Sequence, residues 1–173
     1  GREVAIKFLR ADAEPTTVER FMREARAAAK IASDHVAKVF DVGSLDSGEP
    51  YMVMELLEGS DLSQLLDTAT SLPPAEAVAY VLQACEALTA AHALGVIHRD
   101  VKPANLFVTT GPAGDPLVKL LDFGISKEAL AATSQALTQS DTLLGSPGYM
   151  SPEQLESSRD VDCRTDIWSL GVV

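Results

Sequence analysis

The chain has 173 residues, 46% of them hydrophobic, and a formal net charge of −11. That is enough apolar mass for one domain with its own core and too much for a disordered chain. The acidity excludes a broad nucleic-acid or anionic-lipid surface, since either partner needs a basic face; a polyanion must be met by a small local positive site.

Taken in chain order, Val4-Ala5-Ile6-Lys7-Phe8-Leu9 is an apolar run broken by one lysine, which predicts a strand. Pro15-Thr16-Thr17 opens a helix with Phe21, Ala25 and Ala28 on its apolar side. Val36 to Val42 and Tyr51 to Leu56 read as strands, separated by the turn-rich stretch Ser44 to Pro50. Glu58-Gly59-Ser60-Asp61 ends the third strand, and a short helix follows from Leu62. Pro73-Pro74 starts a long helix whose expected apolar face is Val78, Val81, Leu82, Cys85, Leu88 and Ala91. Leu106-Phe107-Val108 and Val118-Lys119-Leu120-Leu121 predict two short strands around the turn Gly111 to Pro116. Residues 126–145 are polar, Ser/Thr-rich and aperiodic, so a mobile loop is expected, and Asp166 to Val173 begins a new helix. Strands early and helices late give an α+β protein with a small sheet lobe and a larger helical lobe. Cys85 and Cys163 have no metal-type spacing and read as reduced thiols. No stretch suits a membrane helix or a signal peptide, which points to a cytoplasmic chain. The sequence lacks an initiating Met and stops in mid-pattern at Leu170-Gly171-Val172-Val173, so it reads as a fragment cut at both ends.

The chemistry gathers at Asp100, Lys102, Asn105 and Asp122. Asp and Asn supply the hard oxygen ligands that Mg²⁺ prefers. A lysine among them neutralises phosphate, and a carboxylate can orient an attacking hydroxyl, so together they make the set that phosphoryl transfer needs. Lys7, in an apolar strand, is costly unless paired. On charge alone, Glu14, Glu19 and Glu24 all compete for it. Asp61 suits the N-cap of the short helix.

The run His98-Arg99-Asp100-Val101-Lys102-Pro103-Ala104-Asn105 resembles the protein-kinase catalytic loop, and Asp122-Phe123-Gly124 resembles its magnesium loop. Val4-Ala5-Ile6-Lys7 is similar to the strand carrying the phosphate-anchoring lysine. Gly145-Ser146-Pro147-Gly148-Tyr149-Met150-Ser151-Pro152-Glu153 is similar to the end of the activation segment, and Asp166-Ile167-Trp168-Ser169-Leu170-Gly171 to the start of the large lobe's central helix. Five motifs in the family's order, over the whole chain, resemble bacterial Ser/Thr kinases of the eukaryotic-like type.

The resemblance implies a bilobal protein-kinase-like fold, truncated, with an N-lobe over about residues 1–56 and a C-lobe over about 57–173. It places the Gly-rich lid upstream of Gly1 and further helices beyond Val173, so the isolated chain is expected to be weakly stable and close to inactive. Asp100 would accept or orient the substrate hydroxyl proton, Lys102 would steady the γ-phosphoryl, and Asn105 and Asp122 would hold Mg²⁺, with Mn²⁺ as the alternative ion. Lys7 would contact the ATP phosphates with Glu24 as its partner. Ala5 and Phe107 would sandwich adenine, Met54 would be the gatekeeper, Glu55 to Leu57 would offer hinge backbone groups, and Asp61 would reach the ribose. His98 would be a core imidazole with Phe123 near it. His35, His92, Cys85, Cys163, Trp168 and Tyr149 are assigned to packing.

Lys102, two residues after Asp100, implies Ser/Thr rather than Tyr specificity. Ser146 stands where the family has Thr. Ser151 stands where it has Ala, and little effect is expected from that change. Arg99 implies a kinase switched by phosphorylation, with Arg20 and Lys127 completing a basic pocket and Thr138 and Ser140 as phosphoacceptors, modified in a kinase–kinase contact. Protein substrates are the implied partners, with no nucleic acid and no membrane segment in this chain; any anchor of the parent lies outside it. The rival readings are a pseudokinase scaffold and a small-molecule phosphotransferase of related fold. Lys7, Asp100, Asn105 and Asp122 speak against the first, and the segment Gly145 to Glu153 against the second.

Overall fold

The computed structural model describes residues 1–9, 13–69, 71–123, 147–156 and 161–173. Val4–Phe8 forms strand β1, whose alternation leaves Ala5 and Lys7 half-buried and turns Val4, Ile6 and Phe8 outward. β2 (Val39–Ser44) and β3 (Pro50–Glu55) complete an antiparallel sheet in the order β1-β3-β2. Ala5 faces Met54 across the ladder and Lys7 faces Met52. Helix α1 (Pro15–Ala28) starts at a proline, whose missing N–H is harmless in a first turn, and packs Phe21 and Ala25 on Met52.

The chain passes from β3 through residues 56–59 into a second sheet. This sheet holds β4 (Ser60–Asp61), β5 (Leu106–Thr110) and β6 (Pro116–Leu120), in that order and antiparallel. Gly59, at φ +141°, allows the entry, because a Cβ there would collide with the Val108 carbonyl. Helices α2 (Leu62–Ala69), α3 (Pro74–His92), α4 (Pro152–Glu156) and α5 (Arg164–Val172) belong to this larger lobe. Its core joins Leu62, Leu88, Val101, Leu106, Val118, Leu120 and Phe123.

Two sequence expectations shift. The second strand starts at Val39, not Val36. Val36 and Ala37 are drawn into the larger lobe instead, where Val36 bridges Leu120. The Ala37 N–H donates to the Leu120 carbonyl at 3.1 Å, and the Leu120 N–H to that of His35 at 2.8 Å. The long helix buries Tyr80, Ala84, Ala87, Leu88 and Ala91, while Val78 and Leu82 stand 57% and 60% exposed. Alanines let the helix approach β6 closely. Because the helix is apolar on most sides, hydrophobicity alone does not select the buried face. The stretch expected to be a loop, residues 126–145, lies outside the described residues.

Candidate active site

Two short strands and one tight turn place the chemistry. Lys102 leads into a 3-10 turn, Pro103–Asn105, which feeds directly into β5, while β6 delivers Leu121 and Asp122 alongside it. The Leu121 N–H donates to the Asn105 carbonyl at 2.9 Å, tying the two segments at the cleft. The Asn105 amide donates to the Asp100 carbonyl at 2.7 Å and to its carboxylate Oδ2 at 3.2 Å. Lys102 Nζ lies 3.0 Å from that same Oδ2. Asp100, Lys102 and Asn105 therefore form one cluster, in which Asp100 is held by two donors and is only 8% exposed.

His98 forms the floor. It is fully buried; one ring nitrogen, Nε2, is 2.7 Å from the Leu121 carbonyl, and the other, Nδ1, receives the Asp100 N–H at 3.2 Å. A carbonyl only accepts, so Nε2 carries the proton and the imidazole is neutral. Burial holds its pKa below the ordinary value of 6.5, outweighing the opposing pull of Asp166, Asp100 and Asp122. Phe123 stacks obliquely on the ring at 4.8 Å. His98 is thus a strap between the run His98 to Asn105 and the segment from Leu121 to Phe123, and its ring stays neutral at neutral pH.

Lys7 Nζ reaches across from the smaller lobe to Asp122 Oδ1 at 2.7 Å. Its partner in this structure is therefore Asp122 rather than the expected Glu24. Glu24 lines a depression with Arg23, Arg99 and Phe123, on the side of α1 that faces the larger lobe. Lys7 lies on the half-buried face of β1, from which its Nζ meets the carboxylate of Asp122, a residue at φ +54°. Asp122 and Arg99 (φ +64°) are the non-glycine residues with left-handed backbone among the described residues, and both flank this site.

At the far end of the cleft, Met54 packs partly buried on the Phe21–Met52 cluster. Phe107 faces Asp61 on one side of β5 and Lys119 on the other. Asp61 caps α2, accepting the Gln64 N–H at 3.0 Å and its side-chain amide at 2.8 Å. Glu55 does more than offer backbone: its carboxylate Oε1 takes Lys119 Nζ at 2.9 Å and the Lys38 N–H at 2.6 Å. This pair is nearly buried, at 7% and 14% side-chain exposure. Arg20 and Arg99 are described, but Lys127, Thr138, Ser140, Gly124 and Ser146 lie outside the described residues.

Asn105 Oδ1 and the Asp122 carboxylate suit Mg²⁺: both are hard oxygens, and Asn105 spends its NH₂ end on Asp100. No group of three or more His, Cys, Asp or Glu able to hold a metal occurs among the described residues.

The sequence reading missed Asp166, Gln154 and Lys119. Asp166 is fully buried; its carboxylate accepts the N–H groups of His98 (2.9 Å) and Arg99 (2.7 Å), and His92 Nε2 lies 2.7 Å from it. The available signal was its place at the head of the motif Asp166 to Gly171. Gln154 and Lys119 carried none.

The fold is a bilobal α+β arrangement that gathers Lys7, Asp100, Lys102, Asn105 and Asp122 at the cleft between the lobes. A family model described as the protein kinase domain matches residues 1–173, and the chain belongs to that family. It is 40% identical over 178 residues to the probable serine/threonine-protein kinase PknB of Corynebacterium glutamicum, covering 100% of this chain and 27% of that protein. It is 41% identical over 175 residues to the serine/threonine-protein kinase Pkn1 of Myxococcus xanthus, covering 100% and 24%. The chain therefore spans about a quarter of the length of these curated relatives. Among solved structures, the kinase domain of Mycobacterium tuberculosis PknI superimposes with a TM-score of 0.74 at 33% identity, over 96% of this chain and 60% of that one.

Proposed function

We propose that the chain is the active centre of a Ser/Thr protein kinase that transfers the γ-phosphoryl group of Mg-ATP to a protein hydroxyl. The observation that carries this reading is the cluster in which Asn105 and Lys102 both hold the Asp100 carboxylate, beside Asp122 and Lys7. Asp100, oriented by Asn105 and Lys102, is the carboxylate that takes the hydroxyl proton of a Ser or Thr. Lys102, beside it, places positive charge where the transferring phosphoryl gathers negative charge. Asn105 and Asp122 hold Mg²⁺, which supplies charge neutralisation on the phosphates when bound. Lys7 carries the positive charge for the remaining phosphates, and Ala5, Met54, Phe107 and the backbone at 55–57 form the adenine slot. Asp61 sits at the ribose end. Aligned motifs and 40% identity to named Ser/Thr kinases support the substrate class.

For regulation, we infer a basic pocket of Arg99, Arg20 and Lys127 that takes a phosphate on Thr138 or Ser140, placed there by a second kinase molecule. Mass spectrometry of the active parent tests this, and finding both residues unmodified overturns it. The domain divides at about residues 56 and 57. The reaction itself is tested by assaying the full-length parent beside Asp100→Asn with Mg-ATP and a Thr-rich protein. The parent is expected to phosphorylate it, and the variant to lose transfer by about 10²–10⁴-fold, the share a general base contributes. No transfer by the parent would leave a scaffold of the same fold.

A further inference from the structure

Arg99 is the residue whose backbone decides where Asp100 points, and it is held in a conformation it does not favour. Its φ of +64° is left-handed, a region that L-residues other than glycine rarely adopt. Such a residue stays put only where its peptide groups are gripped. The N–H side is gripped by Asp166 Oδ1 at 2.7 Å. The carbonyl side is gripped by Gln154, whose Nε2 donates to the Arg99 oxygen at 2.9 Å.

The orientation of that amide is determined by its surroundings. Gln154 Oε1 receives the Ser151 N–H at 3.1 Å, so the NH₂ end is the one that meets Arg99. Ser151 is fully buried, and its hydroxyl lies 2.6 Å from that of Thr165, the residue before Asp166 on α5. The hydrogen bonds therefore close a circuit. α5 holds the Arg99 N–H directly and holds the Arg99 carbonyl through Ser151 and Gln154. Serine at 151, expected to matter little, supplies a link that alanine could not.

We propose that Gln154 is a positioning residue for phosphoryl transfer, fixing the Arg99 peptide so that the Asp100 carboxylate keeps its aim at the substrate hydroxyl. The proposal rests on the kinase reading above. Gln154 itself acts only through Arg99, so its loss should leave nucleotide binding alone and slow the chemical step.

The test is steady-state kinetics of the full-length parent beside Gln154→Ala and Gln154→Glu. At neutral pH both variants should lose kcat about 10- to 100-fold, the scale of a small misplacement of a catalytic group, with KM for ATP little changed. The pH dependence separates positioning from bulk. A carboxylate at 154 can only accept and repels the Arg99 carbonyl, whereas a protonated carboxyl donates as the amide does. Proximity to that carbonyl raises the carboxyl's pKa. The kcat of Gln154→Glu relative to the parent should therefore climb as pH falls from about 7.5 to about 5.5 (a rise of about threefold or more), while the Gln154→Ala ratio stays flat. An active parent whose kcat is indifferent to both substitutions, or a flat ratio for Gln154→Glu, overturns the role of Gln154 alone. A parent that transfers no phosphate overturns the kinase reading and the role together.

Discussion

Lys119–Glu55 and Lys7–Asp122 are ion pairs between the lobes, and they are unlike. At the hinge, Lys119 and Glu55 meet at 2.9 Å with 7% and 14% of their side chains exposed, and the same carboxylate oxygen also takes the Lys38 N–H. Across the mouth of the cleft, Lys7 and Asp122 meet at 2.7 Å with 34% and 36% exposed. The first is desolvated and multiply bonded, so removing either partner strands a buried charge. The second is wet, and its two members are the residues assigned to phosphate and metal. The hinge pair acts as a permanent seam. On the proposed function, the cleft pair is one that a metal-bound nucleotide would take apart, since it would offer each member a stronger partner.

The largest effect should come from cutting the seam. Lys119→Met leaves Glu55 charged and nearly buried, and breaking a buried pair in this way costs about 3–5 kcal/mol. Thermal or denaturant unfolding of the parent's kinase domain should register it. Pairing Lys119→Met with Glu55→Leu, which removes both charges, should recover much of the loss. If the single variant melts like the parent, the seam carries no weight and the contrast between the two pairs collapses. Lys7→Met should do the reverse. An exposed pair contributes up to about 1 kcal/mol to stability, so melting should barely move. Losing the cation opposite the phosphates should lower phosphate transfer about 10²–10³-fold, as loss of one preorganised donor does. Equal damage to folding by both variants would erase the distinction.

The cleft was legible in the sequence in a way the seam was not, and the reason is physical. Asp100, Lys102 and Asn105 lie within six residues, and Asp122 is one strand pair away, so a tight local motif carries their identity and their neighbourhood at once. Lys119 and Glu55 are 64 residues apart, and Gln154 is 55 residues from the carbonyl it holds. Their partners are set by how β6, β3 and α4 pack, and a single Lys, Glu or Gln gives no hint of that. The pairing of Lys7 with Asp122 rather than Glu24 has the same origin, since a lysine near several acids is resolved only by the direction in which its strand points it. The elements themselves were readable where chemistry punctuates them, as at Pro15 and Pro74, which open α1 and α3. The buried side of α3 was not, because alanines and larger apolar residues surround it on most faces.

His98 sharpens the contrast further, because it fixes the floor of the cleft whose mouth is exchangeable. Its neutral ring donates to the Leu121 carbonyl and accepts the Asp100 N–H, so a second proton would break the contact to Asp100 and charge a buried ring. Burial lowers its pKa from 6.5 in the folded protein, while the unfolded chain keeps the ordinary value. Above about pH 6.5 both states leave the ring neutral, and His98 adds no pH dependence. Below that, the unfolded chain takes up a proton that the folded one refuses. Stability should then fall with falling pH, by at most about 1.4 kcal/mol per pH unit, until the folded pKa is passed. Asp166, Asp100 and Asp122 face the ring and soften the fall by favouring the proton. The measurement is the melting temperature of the parent's kinase domain between pH 7 and pH 5, compared with His98→Gln. The glutamine offers an N–H to Leu121 and cannot be charged, so its acid limb should be flatter than the parent's. Matching acid limbs in the two proteins would assign the sensitivity to other groups and leave the floor of the cleft no more rigid than its mouth.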